Sequence, residues 1–149
     1  MKLTEENYVE IAEQVIKKLH EEKNQKGQPI GIVTTSKIRN LLSMTANIYN
    51  DVVNTKAARR NRAKANNMNR NFAIFLAALG ILIVFCSINY LKLRFVYEAG
   101  REQKVKRLVE TAQILQCLDA IKGNRSQYIL FSRYMEALVA YRKFYEKDE

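Results

Sequence analysis

The sequence predicts an all-α protein, a compact bundle of about five helices in one domain over residues 1–149, and three observations carry that reading. Glycine and proline are scarce, five and one in the chain, so little interrupts a helix and no flexible linker marks a boundary. Apolar residues return at spacings of three and four along successive stretches, the period of a helix with one buried face. Apolar and polar residues never alternate over the length of a strand, which removes the sheet classes. A chain of 149 residues can bury one core and has no room for separate cofactor and substrate domains.

The first helix opens at Thr4, a capping residue followed by Glu5 and Glu6, whose charges suit the positive end of a helix. Tyr8, Ile11, Ala12, Val15, Ile16 and Leu19 make its stripe, and His20 follows beside Glu21 and Glu22 as an expected solvated surface histidine. EKNQKGQPIG, with the only proline, reads as a loop. A second helix starts in TTSK, where Thr34, Thr35 and Ser36 offer capping hydroxyls. It runs to about Asn54 with Ile38, Leu41, Leu42, Thr45, Ile48, Tyr49, Val52 and Val53 on one stripe. From Leu91 the helical signal continues, with Gly100 as an expected bend. Val105, Leu108, Val109, Ala112, Leu115, Leu118 and Ile121 then form one long stripe capped by Gly123. The last helix begins at Asn124 or Ser126 and reaches about Lys147, and its aromatic stripe from Tyr128 to Tyr145 is expected in the core. Cys86 and Cys117 both sit in apolar helical stretches without a Cys-x-x-Cys or histidine companion, so both are expected as buried thiols of a reducing cytoplasm.

Net charge is +10, and its distribution says more than its size. Residues 1–55 carry seven basic and seven acidic side chains, residues 56–71 six basic and none acidic, and residues 72–149 twelve against eight. Outside 56–71 the basic excess is therefore only +4, a weak signal for a polyanion. No enzyme constellation is present: there is one histidine, no Gly-x-Ser-x-Gly elbow and no glycine-rich phosphate loop. The reading is a non-enzyme with no cofactor and no metal site.

Lys56, Arg59, Arg60, Arg62, Lys64 and Arg70 precede FAIFLAALGILIVFCSINYL, residues 72–91, a run of 20 without a charge. Taken alone it is long enough to cross a bilayer. Three explanations stand: a buried central helix, a membrane segment with a basic juxtamembrane stretch, or a local change of reading frame. Cations flank both ends, with Lys92, Arg94 and Arg101 following, so charge gives no orientation.

Two cations, Lys37 and Arg39, fall in the first turn of the second helix, where free backbone N–H groups already favour a phosphate. The two fall on opposite margins of the stripe, and spacing alone favours reading them as solvated surface residues. Residues 88–102, INYLKLRFVYEAGRE, interleave aromatic, aliphatic and basic residues at helical spacing. These two blocks, TTSKIRNLL (residues 34–42) and 88–102, together with SRYMEALVAY (residues 132–141), resemble the small helical subunit of type III-A, Csm-type, CRISPR effector complexes. The resemblance covers roughly residues 1–55 and 88–149 and leaves 56–87 as an atypical segment.

It implies a helical bundle without an active site that lies beside guide (crRNA) and target RNA, with other subunits and further copies of itself as partners. Such a role requires cations that touch phosphate and ribose without reading bases, because pairing with the guide supplies specificity. Lys37, Arg39, Arg94, Arg101 and Arg133 are the implied RNA contacts, with Lys92, Arg142 and Lys143 as further candidates. Arg101 also has Glu98 and Glu102 within reach as ion-pair partners, and Arg133 has Glu136. Phe95, Tyr97 and Tyr134 offer rings for base stacking, but core packing is the expected fate of all three. The alternatives are a single-span membrane protein and a helical scaffold for an acidic protein.

Overall fold

The computed structural model describes residues 3–24, 26–27, 30–63 and 70–146, and of residues 50–84 the side chains of Ile74, Phe75, Ala78, Leu79 and Leu82 alone. Its elements are all helices: α1 Tyr8–Glu21, α2 Thr35–Ala63, α3 Arg70–Arg101, α4 Gln103–Thr111, α5 Ile114–Ile121 and α6 Arg125–Tyr145. The expected all-α fold is observed, with six helices among the described residues.

The sixth arises because the stripe of residues 105–121 is broken in the middle. Ala112 ends α4, and Gln113 takes a left-handed conformation, φ 49°, before α5 begins. Nothing in the sequence marks this break, since Gln113 is neither glycine nor asparagine. The carbonyl of Ala112 is instead taken up by the Tyr134 hydroxyl at 3.1 Å, a bond from another helix. The other interruption comes two residues after Gly100: Glu102 is extended, φ −139° and ψ 117°, and separates α3 from α4.

α6 is the spine of the bundle and packs against α1, α2 and α5, while α3 packs against α2, α4 and α5. Asn124 caps α6 by accepting from the N–H groups of Ser126 (3.0 Å) and Gln127 (3.4 Å). Tyr128, Phe131, Tyr134, Met135 and Leu138 are buried as the aromatic stripe requires, but Phe144 is 70% exposed. Tyr128 donates its hydroxyl to the carbonyl of Thr45 at 2.6 Å, tying α6 to α2. Ala12, Val15, Ile16 and Leu19 of α1 and Ile38, Leu41, Thr45 and Ile48 of α2 meet the same core.

Four sequence expectations are corrected. His20 is half-buried, and among the described residues its Nε2 has no hydrogen-bond partner. Cys117 is buried as expected, whereas Cys86 is exposed. Tyr97, expected in the core, lies 60% exposed, while Phe95 and Tyr134 are fully buried. The described side chains of the uncharged run do not fit a buried central helix: Ile74, Phe75, Leu79, Leu82 and Phe85 lie at the surface, and among them only Ile88 and Leu91, in the last turns, enter the core. Among the described residues no helix is long and apolar enough to cross a membrane. Part of 72–91, and the cations of 56–70, lie outside the described side chains.

Candidate nucleic-acid interface

The N-terminus of α2 is held from three sides. Thr34 caps it, accepting the Lys37 N–H at 3.3 Å. Arg142 of α6 donates Nε to the carbonyl of Val33 at 2.8 Å, and Thr35 donates its hydroxyl to Glu146 at 2.7 Å. The last turns of α3 supply the third side: Lys37 Nζ meets Glu98 Oε2 at 2.8 Å and Glu102 Oε2 at 3.7 Å. The first turn of one helix and the last turn of another are thereby fixed against each other.

Glu98 is the centre of this junction. Arg101 Nη1 stands 3.9 Å from its other oxygen, and the Arg101 guanidinium lies over the Tyr97 ring, 5.5 Å from the centroid. The Lys37 hydrogen bond holds the Glu98 carboxyl below the usual carboxylate range against the opposing effect of desolvation, and the positive charges of Lys37, Arg101 and Arg94 add to this. The same bond raises the Lys37 ammonium above its ordinary value. Lys37 and Arg101, drawn from two separate sequence blocks, therefore converge on one carboxylate.

Arg39 and Arg94 are exposed, and among the described residues neither has an ion-pair partner. Arg133 is also exposed but stands apart, nine residues or about 14 Å along α6 from Arg142. Its neighbour is Glu5 at 3.8 Å, not the Glu136 that helical spacing suggests. Lys92 is bound to Asp119 of α5 at 2.6 Å, and Lys143 pairs with Glu146, the residue that caps the end of α6.

Arg142 corrects an expectation outright. It is 4% exposed, and its Nε is spent on Val33, so it is an interior clamp on the α2 N-terminus with no surface from which to reach RNA. Sequence reasoning missed this role, together with that of Glu98. Glu98 sits inside the quoted block of 88–102, but nothing local announces that Lys37 will arrive from another helix.

Chemically the junction offers exposed guanidinium groups on a rigid support, beside a helix N-terminus. Guanidinium forks and free N–H groups suit phosphate oxygens. No group of His, Cys, Asp and Glu able to hold a metal ion is found among the described residues.

The sequence profile of the type III-A Csm2 family matches residues 6–148. The chain belongs to that family. A "CRISPR system Cms protein Csm2" of Streptococcus thermophilus is 41% identical over 143 residues, covering 96% of this chain and 94% of the relative. A protein of the same name from Mycobacterium tuberculosis (strain CDC 1551 / Oshkosh) is 32% identical over 153 aligned positions, covering 100% of this chain and 99% of the relative. Another from Enterococcus italicus is 29% identical over 119 positions, 78% of this chain and 71% of the relative. The Csm2 match takes in all three sequence blocks, those of Lys37, Arg101 and Arg133.

Proposed function

We propose that this chain is a non-catalytic, cytoplasmic subunit of a type III-A CRISPR interference complex and holds guide and target RNA by their backbones. Its partners on this reading are crRNA, target RNA, the other subunits and further copies of itself. Cleavage and nucleotide chemistry belong to those other subunits. Family membership supports the setting, and one observation supports the surface: Lys37 and Arg101 meet at Glu98 beside the capped N-terminus of α2, with Arg94 one turn back along α3 and Arg39 two residues on in α2, both exposed. Such a cluster recognises phosphate by charge and donor geometry and carries no base-reading pocket, as a guide-directed complex requires.

Charge reversal tests it. In the reconstituted complex, Arg39→Glu, Arg94→Glu and Arg101→Glu should each weaken target-RNA retention uniformly across sequences and reduce the salt slope by about one. Arg133→Glu, being remote from the junction, should act independently of them. Retention and slope unchanged in all four, with the helical circular dichroism intact, would remove RNA from this surface.

A further inference from the structure

Lys37 faces two carboxylates where one would hold it. Glu98 and Glu102 stand one turn apart at the end of α3, still joined by the helical bond from the Glu102 N–H to the Glu98 carbonyl at 3.2 Å, and both are turned toward the same ammonium. They are not equivalent. Glu98 is the inner partner: its side chain is 15% exposed, one oxygen is 2.8 Å from Lys37 Nζ and the other faces Arg101. Glu102 is the outer one, 36% exposed and 3.7 Å from Lys37, beyond hydrogen-bond length. It also stands at the N-cap of α4, yet its side chain caps no N–H there. Glu98 thus locks the junction, and the carboxylate of Glu102 adds a negative charge that neither the lock nor the cap requires.

We propose that Glu102 is a built-in competitor of the RNA backbone: its carboxylate occupies the outer side of Lys37, where a phosphate would bind, and so sets the affinity of the interface. The inference rests on the RNA-backbone reading of this surface and deepens it. An incoming phosphate oxygen displaces Glu102, whose contact is loose and partly in water, and leaves Glu98 in place to hold Lys37. Around the junction Lys37, Arg39, Arg94 and Arg101 stand against Glu98 and Glu102, so removing the outer carboxylate raises the local excess of positive charge by half. A guide-directed subunit gains from such restraint. Backbone contacts do not discriminate among RNAs, so affinity added here holds any RNA equally. A carboxylate that repels phosphate keeps a lone contact weak and leaves retention to many contacts acting together along one strand.

The test uses the reconstituted complex with target RNA and reads retention against salt. Glu102→Gln keeps the size of the side chain and removes its charge. It should tighten retention roughly 2- to 5-fold at low salt and steepen the salt slope by up to about one. Two further variants make the result specific. Glu10→Gln removes the same charge from the exposed side of α1, a helix that packs on α4 and α6 and on neither α2 nor α3, and should leave retention as it was. In a Lys37→Gln background the gain from Glu102→Gln should be largely lost, because the competitor no longer has its object. Retention unchanged or weakened in Glu102→Gln overturns the inference. An equal gain in Glu10→Gln overturns it as well and assigns the effect to net charge, as does a gain undiminished without Lys37. If Arg39→Glu, Arg94→Glu and Arg101→Glu still weaken retention in those cases, the RNA surface stands and only the role of Glu102 falls. If they too change nothing, the RNA reading falls and this inference with it.

Discussion

Within α3, residues 74–86 and residues 88–101 belong to one continuous helix and the first is the more apolar, yet among the described side chains only the second stretch has a buried face. In the first, every described side chain is exposed. In the second, Ile88, Leu91 and Phe95 are 5%, 1% and 0% exposed while Leu93, Val96 and Tyr97 on the opposite side remain in water. Composition therefore does not decide burial here. What decides it is whether another helix covers a face: α2, α4 and α5 pack on α3, and its described buried residues are Ile88, Leu91 and Phe95.

The widest expected contrast is in thiol chemistry, because the two cysteines sample the two environments. Cys117 is buried in α5, and desolvation pushes its pKa up to about 11, so both access and thiolate fraction are low. Its alkylation at pH 8 should wait for global unfolding, which in a domain of this size costs about 5–15 kcal/mol. Cys86 is exposed and should react without any unfolding. Mass spectrometry of a timed iodoacetamide reaction gives both rates, and comparable rates would erase the distinction between the two stretches.

Next in size is a pair of truncations on the same helix. Phe95→Ala should destabilise by about 3–5 kcal/mol, through lost transfer energy and the cavity left among α2, α4 and α5. Phe85→Ala removes the same atoms from a half-exposed position and should stay within about 0.5 kcal/mol. Urea unfolding at one pH measures both, and a large loss at Phe85 would mean that this stretch packs after all.

The same contrast explains what could be read in advance. The stripes of α1, α2 and α6 were legible because a helix buries residues that its own period places together, and Ile16, Ile38 and Tyr128 sit where that period puts them. Thr34 and Asn124 were legible as caps because a capping oxygen serves N–H groups two or three residues away. The break at Gln113 was not legible, since its left-handed backbone is supported by Tyr134 from α6 rather than by a local signal. The exposure of Cys86 and Tyr97 was hidden for the complementary reason: an apolar residue in a helix looks buried until the covering element is known. Of the candidate site, the cations were visible and their arrangement was not, because Lys37 with Glu98 and Arg142 with Val33 are pairings between distant segments.

The smallest expected effect concerns the Lys37–Glu98 pair, which joins the packed half of α3 to α2. Hydrogen bonding to Lys37 lowers the Glu98 carboxyl below its ordinary 4.5, so its contribution to stability is present above that value and is lost as pH falls through the depressed one. Lys37 is raised above 10.5 by the same bond, so its contribution is complete below that value and is lost only as pH rises through the raised one. Between these limits the pair contributes a constant amount, kept small by its partial exposure to water. Comparing urea midpoints at pH 6 and pH 3, Glu98→Gln should lose less on acidification than the unaltered chain. The other carboxylates titrate in both proteins, so the difference isolates this junction, and equal losses would show that Lys37 is fixed by the packing of α2 on α3 rather than by its charge.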